Sequence, residues 1–211
     1  MAVFATLGPM GSNHELAAST YIQFHGLTTA ELVLVNNFDH ALAMMVDGTV
    51  DHIIQAMAHS TTSSLLAKAY FQHDLYAIDT FIAPTHPLAI LTRSDVEIAK
   101  TLALQPATRN YADLSAWPTL IDEPTTVAVG EGLLAKRYDS GITMLSLVDT
   151  HPGRFQTVLE LGSIDDPWVV YGRRRTCQGA MLAWRDSPAG RLHRGSNKVP
   201  IIGQQEGKDW E

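Results

Sequence analysis

Four short polar segments of this chain place hydroxyl and amide groups where helices are expected to start. They are Gly11-Ser12-Asn13, His59-Ser60-Thr61, Pro106-Ala107-Thr108-Arg109 and Pro124-Thr125-Thr126. Each follows a strand or opens a helix, and each alone reads as a routine cap. Helix N-termini, however, carry unpaired N–H groups and the positive end of the helix dipole. Several of them pointing into one crevice would hold a small carboxylate without many cations. In an open α/β sheet such turns gather at the C-terminal ends of the strands, where ligands bind. Gly11, Ser12, Ser60, Thr61, Thr108 and Thr125 are therefore the candidate ligand-holding residues. Arg109 and Arg93 could pair with a carboxylate through a bidentate fork. Arg109 is preferred because it follows the Pro106 turn at an expected cleft edge; a solvated surface charge is the plainer alternative for each. His59 and His86 lie near expected strand ends, where an imidazole can transfer a proton, with a structural histidine as the alternative for His86. The histidines are scattered, with no H-E-x-x-H or Cys/His spacing, so no metal is expected.

The first segment shows how the backbone would position such groups. Residues 3–7 form a short apolar run that reads as a buried strand and stops at Gly8-Pro9. The chain then turns through Gly11, offers Ser12 or Asn13 as an N-cap, and completes a capping box with Glu15. Leu16, Ala17, Thr20, Tyr21 and Phe24 follow as the apolar face of a helix. Gly8-Pro9-Met10-Gly11 lacks the spacing of a dinucleotide fingerprint. Further on, strands are expected at 31–35, 50–57, 75–82, 87–91, 102–104, 142–147, 155–161 and 168–171. Helices are expected from Phe38 to a stop at Gly48, over 65–72, beyond Arg109, and from a cap in Glu123-Pro124-Thr125-Thr126 to about Lys136. Such alternation with short connections indicates an α/β protein with a largely parallel sheet.

Composition narrows the function classes. The 211 residues suffice for one large domain or two small lobes. A net charge of −7 without a basic stripe argues against a nucleic-acid partner. A single cysteine, Cys177, excludes an internal disulfide framework and fits a reducing compartment. It follows Arg173-Arg174-Arg175, which would favour its thiolate, although a lone thiol at the start of a tail is commonly incidental. With no signal peptide and no apolar stretch near the ~20 residues of a membrane span, a cytoplasmic protein with no membrane partner is expected. Beyond Arg175 the sequence is polar and breaker-rich. An edge strand over 179–184 is expected there, with the last part either disordered or an arm that Val199, Ile201, Ile202 and Trp210 would anchor on a sister subunit, within a homodimer.

Several segments also resemble, in order and at suitable spacing, the prephenate dehydratase family. Thr6-Leu7-Gly8-Pro9-Met10-Gly11-Ser12 resembles its opening L-G-P-E-G-[ST], with Met10 for the usual Glu. Asn37-Phe38 before an apolar helix is similar to its S-F-E segment. Ala58-His59-Ser60-Thr61 stands where the family has E-N-S-T, and Thr85-His86-Pro87-Leu88-Ala89-Ile90 resembles its crossover strand. Pro106 falls in an S-H-P-Q-A-like motif in which Gln105 and Ala107 replace His and Gln. The resemblance runs from about residue 3 to residue 173. It implies a two-lobed fold of the type II periplasmic-binding-protein kind, with largely parallel sheets and the active site in the cleft. One lobe would comprise residues 1–80 and 155–175, the other 81–154, with 176–211 as a tail and no regulatory ACT domain.

At the family's catalytic T-R-F motif this chain departs. The matching stretch is Asp166-Pro167-Trp168-Val169-Val170-Tyr171-Gly172-Arg173, without the Thr and Arg that the family uses to expel water and bind carboxylate. The stretch from Ser140 to Arg173, with its ending from Gly162, resembles more nearly the ACT-less bacilysin-type prephenate decarboxylases, which remove CO2 while keeping the ring hydroxyl. The resemblance thus implies a cofactor-independent lyase on a cyclohexadiene-type carboxylate, with Trp168 among the substrate-binding residues. If hydroxide does not leave, an alkene carbon must be protonated, so a positioned acid is needed. Asp166, Asp165 and His59 are the candidates. A carboxyl facing the bound carboxylate would have a raised pKa and stay protonated; the plainer alternative is that Asp165-Asp166-Pro167 is a turn. Dehydration by an altered motif, chemistry on another ring acid from aromatic catabolism, and a non-catalytic carboxylate-binding module are the other functions considered.

Overall fold

The computed structural model describes residues 1–179 and 181–183, and residues 1–176 form one compact unit. Its first half builds a βα repeat from β1 (Val3–Leu7), α1 (Asn13–Phe24), β2 (Glu31–Val35), α2 (Phe38–Asp47), β3 (His52–Ala56), α3 (Thr62–His73) and β4 (Tyr76–Pro84). Then come β5 (Leu88–Arg93), β6 (Thr101–Leu104), a 3₁₀ turn at Pro106–Thr108, β7 (Thr119–Asp122), α4 (Thr126–Leu134) and β8 (Ser140–Met144). A short α5 (Leu147–Thr150), β9 (Phe155–Gly162) and β10 (Asp165–Gly172) complete it. No described helix is long and apolar enough to cross a membrane.

The strands divide into two five-stranded sheets, ordered β2-β1-β3-β10-β4 and β7-β6-β8-β5-β9. Each has a parallel βαβ-derived core, β2-β1-β3 in one and β7-β6-β8 in the other. Each also has antiparallel pairings: β10 lies between β3 and β4, and β5 between β8 and β9. The sheets are therefore mixed, where a largely parallel arrangement was expected. Hydrophobic runs reveal that a strand is buried on both faces, not the direction of its neighbour.

Alternation along the strands explains the layering. Ala5 and Leu7 pack with Phe38, Ala41 and Leu65 of α2 and α3, whereas Phe4, one residue before Ala5, packs with Ala17 and Ala18 of α1. In β10, Val169 and Tyr171 join the first group and Trp168 and Val170 the second. In the other sheet α4 covers one face through Val129 and Leu133. The loop carrying Leu114 and Trp117 covers the other. That loop and β7 occupy the stretch expected to be helical beyond Arg109. Phe24, expected on the buried face of α1, is 83% exposed; the small Ala17 and Ala18 make the close contact with the sheet instead.

The chain crosses between the sheets twice, at Thr85–Pro87 and at Ser163-Ile164, and the two crossings are tied together. Thr85 N–H donates to the Ile164 carbonyl at 2.9 Å, Ile164 N–H to Thr85 Oγ1 at 3.1 Å, and Ser163 Oγ to the Thr85 carbonyl at 2.6 Å. Phe155–Gly162 thus belongs to the second sheet, which corrects the expected return to the first lobe at residue 155. The tail expectations at Val199, Ile201, Ile202 and Trp210 lie outside the described residues. Of the expected edge strand over 179–184, the described residues are not in a strand.

At the start of α1, Ser12 is the cap: its Oγ accepts from Glu15 N–H at 3.2 Å and donates to the Leu7 carbonyl at 3.3 Å. The Glu15 carboxylate reaches back to Gly11 N–H, and Gly11 has a φ of +80°, where a side chain is strained. Asn13 does not cap; its Oδ1 accepts from His86 N–H at 2.9 Å and fastens the helix start to the crossing between the sheets. Ser12→Ala is expected to cost about 1 kcal/mol in urea unfolding, since a buried cap loses both of its bonds.

Candidate functional site

Between the two sheets lies a cleft of about 720 Å³, including its open mouth. One wall comes from the first sheet: Ser12, Asn13 and His14 at the start of α1, His59 after β3, and Asp166 and Trp168 of β10. The opposing wall comes from the second: Gln105 and Thr108 of the 3₁₀ turn, Tyr111, and Thr125 and Thr126 at the start of α4. Thr125 Oγ1 accepts from Ala128 N–H at 3.0 Å, so the Thr126 and Val127 amides ahead of it have no partner within the helix. Ser12 leaves the Asn13 and His14 amides in the same position in α1. Two helix N-termini, one from each sheet, therefore open on one hollow.

Among the described lining residues Asp166 is the one carboxylate, and none is a Lys or Arg. Burial raises its carboxyl above the ordinary range. Burial, with the Asp166 charge second, also raises the Tyr111 phenol. His59 is lowered by burial, and its Nδ1 sits 2.9 Å from Thr61 Oγ1. His14 is pushed down to about 3 by burial first and by the charge of His59 second. Its ring stands nearly perpendicular to Trp168 at 5.0 Å and to His59 at 5.9 Å.

The structure brings together Ser12, His59, Thr108, Thr125, Asp166 and Trp168 of the residues singled out from the sequence. It places the others elsewhere. Gly11 shapes the turn behind Ser12 without lining the cleft, and Ser60 is exposed. Thr61 faces a neighbouring hollow with Asn37 and Lys68. Arg109 points away and pairs with Asp122 of β7 at 2.6 Å, on a strand the sequence did not announce. Arg93 pairs with Asp95 and donates to the Tyr138 carbonyl, outside the cleft. Asp165 is exposed because adjacent strand residues face opposite ways. His86 contributes its amide to Asn13 and does not line the cleft.

His14 and Tyr111 also line the cleft and were not among the candidates. The first had a usable signal. A helical side chain leans toward the helix N-terminus, so a residue in the first turn reaches over whatever that end faces. Tyr111 had none, because the loop after Thr108 has no periodicity.

No protein-family model matches the sequence, and no curated protein matches it. Solved structures do resemble it. A prephenate dehydratase from Arthrobacter aurescens, in complex with L-Phe, aligns with a TM-score of 0.58 at 20% identity, covering 87% of this chain and 63% of that one. The prephenate dehydratase of Staphylococcus aureus gives 0.55 at 16%, covering 83% and 67%. An ABC transporter structure from Parabacteroides distasonis gives 0.50 at 13%, covering 84% and 67%. The fold is periplasmic-binding-protein-like. Enzymes and a transporter component share it at these identities, so the likeness establishes architecture and leaves chemistry to the cleft itself.

Within this periplasmic-binding-protein-like fold, His14 makes the cleft acid-sensitive. Its folded value lies below the unfolded 6.5, so its contribution to stability is full above that pH and is lost as pH falls toward 3. Between pH 7 and pH 5 the loss is about 2 kcal/mol. Urea unfolding at both pH values should show it, and His14→Phe should remove most of that difference.

Proposed function

We propose that the chain is a cofactor-independent lyase acting on a cyclohexadiene-type carboxylate, decarboxylating prephenate or a ring acid like it. The observation that supports this is the meeting, in one cleft, of two helix N-termini with a half-buried carboxyl, Asp166, whose pKa is raised. The helix ends supply amides and dipole for an anionic group without a cation. Asp166 supplies the acid. In the proposed step the bond from ring carbon to carboxylate breaks and CO2 leaves. The freed electron pair forms a new double bond, the displaced π pair takes a proton from Asp166, and solvent restores that proton. The ring hydroxyl stays. His59, held by Thr61, is the other group in this proposal placed to carry a proton.

A non-catalytic module that binds a small carboxylate is the second reading, favoured by the absence of Lys and Arg from the described lining. Mixing the protein with prephenate and following CO2 release and the ultraviolet spectrum separates the two. The lyase reading predicts CO2 with a retained-hydroxyl diene. Phenylpyruvate would instead mean dehydration, saturable binding without turnover would mean the module, and no binding would exclude prephenate-type ligands.

A further inference from the structure

His59 lines both the cleft and the adjoining hollow of Asn37 and Lys68. Its ring packs edge-on against Phe38 of α2 at 5.1 Å and against His14 of α1 at 5.9 Å. One of its two nitrogens is fully engaged. Nδ1 lies 3.2 Å from the Thr61 backbone nitrogen and 2.9 Å from Thr61 Oγ1. A backbone N–H only donates, so Nδ1 must accept and carries no proton. The hydroxyl faces the same lone pair and donates to it as well. Thr61 Oγ1 is then left to accept from Gln55 Nε2 at 3.2 Å, and Gln55 Oε1 accepts from Tyr171 Oη at 3.1 Å. Gln55 and Tyr171 are buried. The whole chain runs in one direction, set by an amide that cannot reverse. Neutral His59 therefore carries its proton on Nε2. That atom bonds to no described residue, yet it is not sealed from solvent: the buried side-chain nitrogens without a partner are His14 Nε2 and Trp168 Nε1.

We propose that Thr61, oriented by Gln55, is a positioning residue that holds His59 as a neutral Nε2–H donor, with which His59 binds an acceptor oxygen of the ligand. The inference rests on the ring-acid reading of the cleft and narrows it: the ligand must turn a carboxylate or carbonyl oxygen toward the start of α3. Among described lining residues without Lys or Arg, a neutral N–H adds a donor for an anion without the cost of burying a cation. An anion beside a histidine ordinarily draws a second proton onto the ring. Here that proton would have to enter at Nδ1, where it would displace both Thr61 donors. The other titratable groups around the ring are His14 of α1 and, on the same cleft wall, Asp166 of β10. Asp39 of α2 and Lys68 of α3, paired at 2.7 Å, line the adjoining hollow.

The test is nitrogen NMR of isotope-labelled histidine in the wild-type protein, free and saturated with prephenate. In the free protein His59 should show a protonated Nε2 and a bare Nδ1 whose resonance is moved upfield by hydrogen bonding. Saturating prephenate should leave Nδ1 bare and move the Nε2–H proton downfield. Thr61→Val should return Nδ1 toward the resonance of a free imidazole and weaken prephenate binding about threefold, and Thr61→Ser should restore both. His59→Phe should weaken binding about fivefold or more, the worth of one hydrogen bond. A proton on Nδ1 in either state would overturn the proposal and leave the ring-acid reading standing. So would an Nε2–H resonance that bound prephenate does not move. A failure of prephenate to bind would overturn the ring-acid reading and the donor role together, and the free-protein spectrum would still decide how His59 is held. The wild-type spectra need no variant, so poor folding of one would not shield the proposal.

Discussion

Asp166→Asn is expected to release CO2 from prephenate at least about a hundredfold more slowly than the wild-type chain, with substrate affinity kept within a few-fold. The amide preserves shape and hydrogen bonding but has no proton to deliver to the ring, and a positioned general acid contributes about 10²–10⁴-fold. The same raised pKa gives two further signatures. Activity should fall as pH rises through the folded-state value of Asp166, because the protonated form is the working one. A folded value above the unfolded one also means that stability from this group is full below the unfolded pKa and is lost as pH rises through the folded one. At neutral pH Asp166 therefore weakens the fold, and the Asn variant should melt no lower than wild type while being nearly inactive. An Asn variant that is active, or one that is inactive only because it is unfolded, would contradict the role.

Gly132→Ala is expected to lower stability by about 2 kcal/mol or more, although alanine is the better helix former by about 1 kcal/mol. The reason is contact. A Cβ on Gly132 would overlap the phenol of Tyr138, which is 3% exposed. The Tyr138 hydroxyl donates toward the Ala128 and Val129 carbonyls at 3.0 and 2.8 Å, so the ring cannot withdraw without losing those contacts. Overpacking costs about 1–3 kcal/mol, and the lost hydrogen bond about 1 kcal/mol more. Together they exceed the propensity gain. Since α4 presents Thr125 and Thr126 to the cleft, ligand affinity should fall too. An unchanged urea midpoint would show that α4 and Tyr138 separate more easily than their packing indicates.

Much of this was legible in the order of residues. Val3–Leu7, Gly11 and Ser12 announced strand, turn and cap, and β1 and α1 form there. Gly48 announced the end of α2, because glycine tolerates the left-handed conformation that ends a helix, whereas the cap at its start, Asn37, is assigned by the structure. The two-lobed fold followed from the resemblance, and its sheets proved mixed because strand direction is decided by partners distant in sequence. The same limit governs the site. Asp166 and Trp168 face the cleft and Asp165 does not, a difference of register invisible until β10 pairs with β3 and β4. Arg109 was drawn to the cleft edge by its place after a turn, but Asp122 of β7 holds it outside. His14 shows the converse: an ordinary first-turn position acquires its character only when Trp168, 154 positions away, packs against it.

The central claim, that helix starts from both sheets receive one anionic ring compound, is met most directly by a backbone amide NMR titration with prephenate. Saturable shifts are expected, centred on Asn13 and His14 in α1 and on Thr126 and Val127 in α4, moving together with one dissociation constant. Shifts limited to one sheet, or scattered over surfaces away from the cleft, would contradict it.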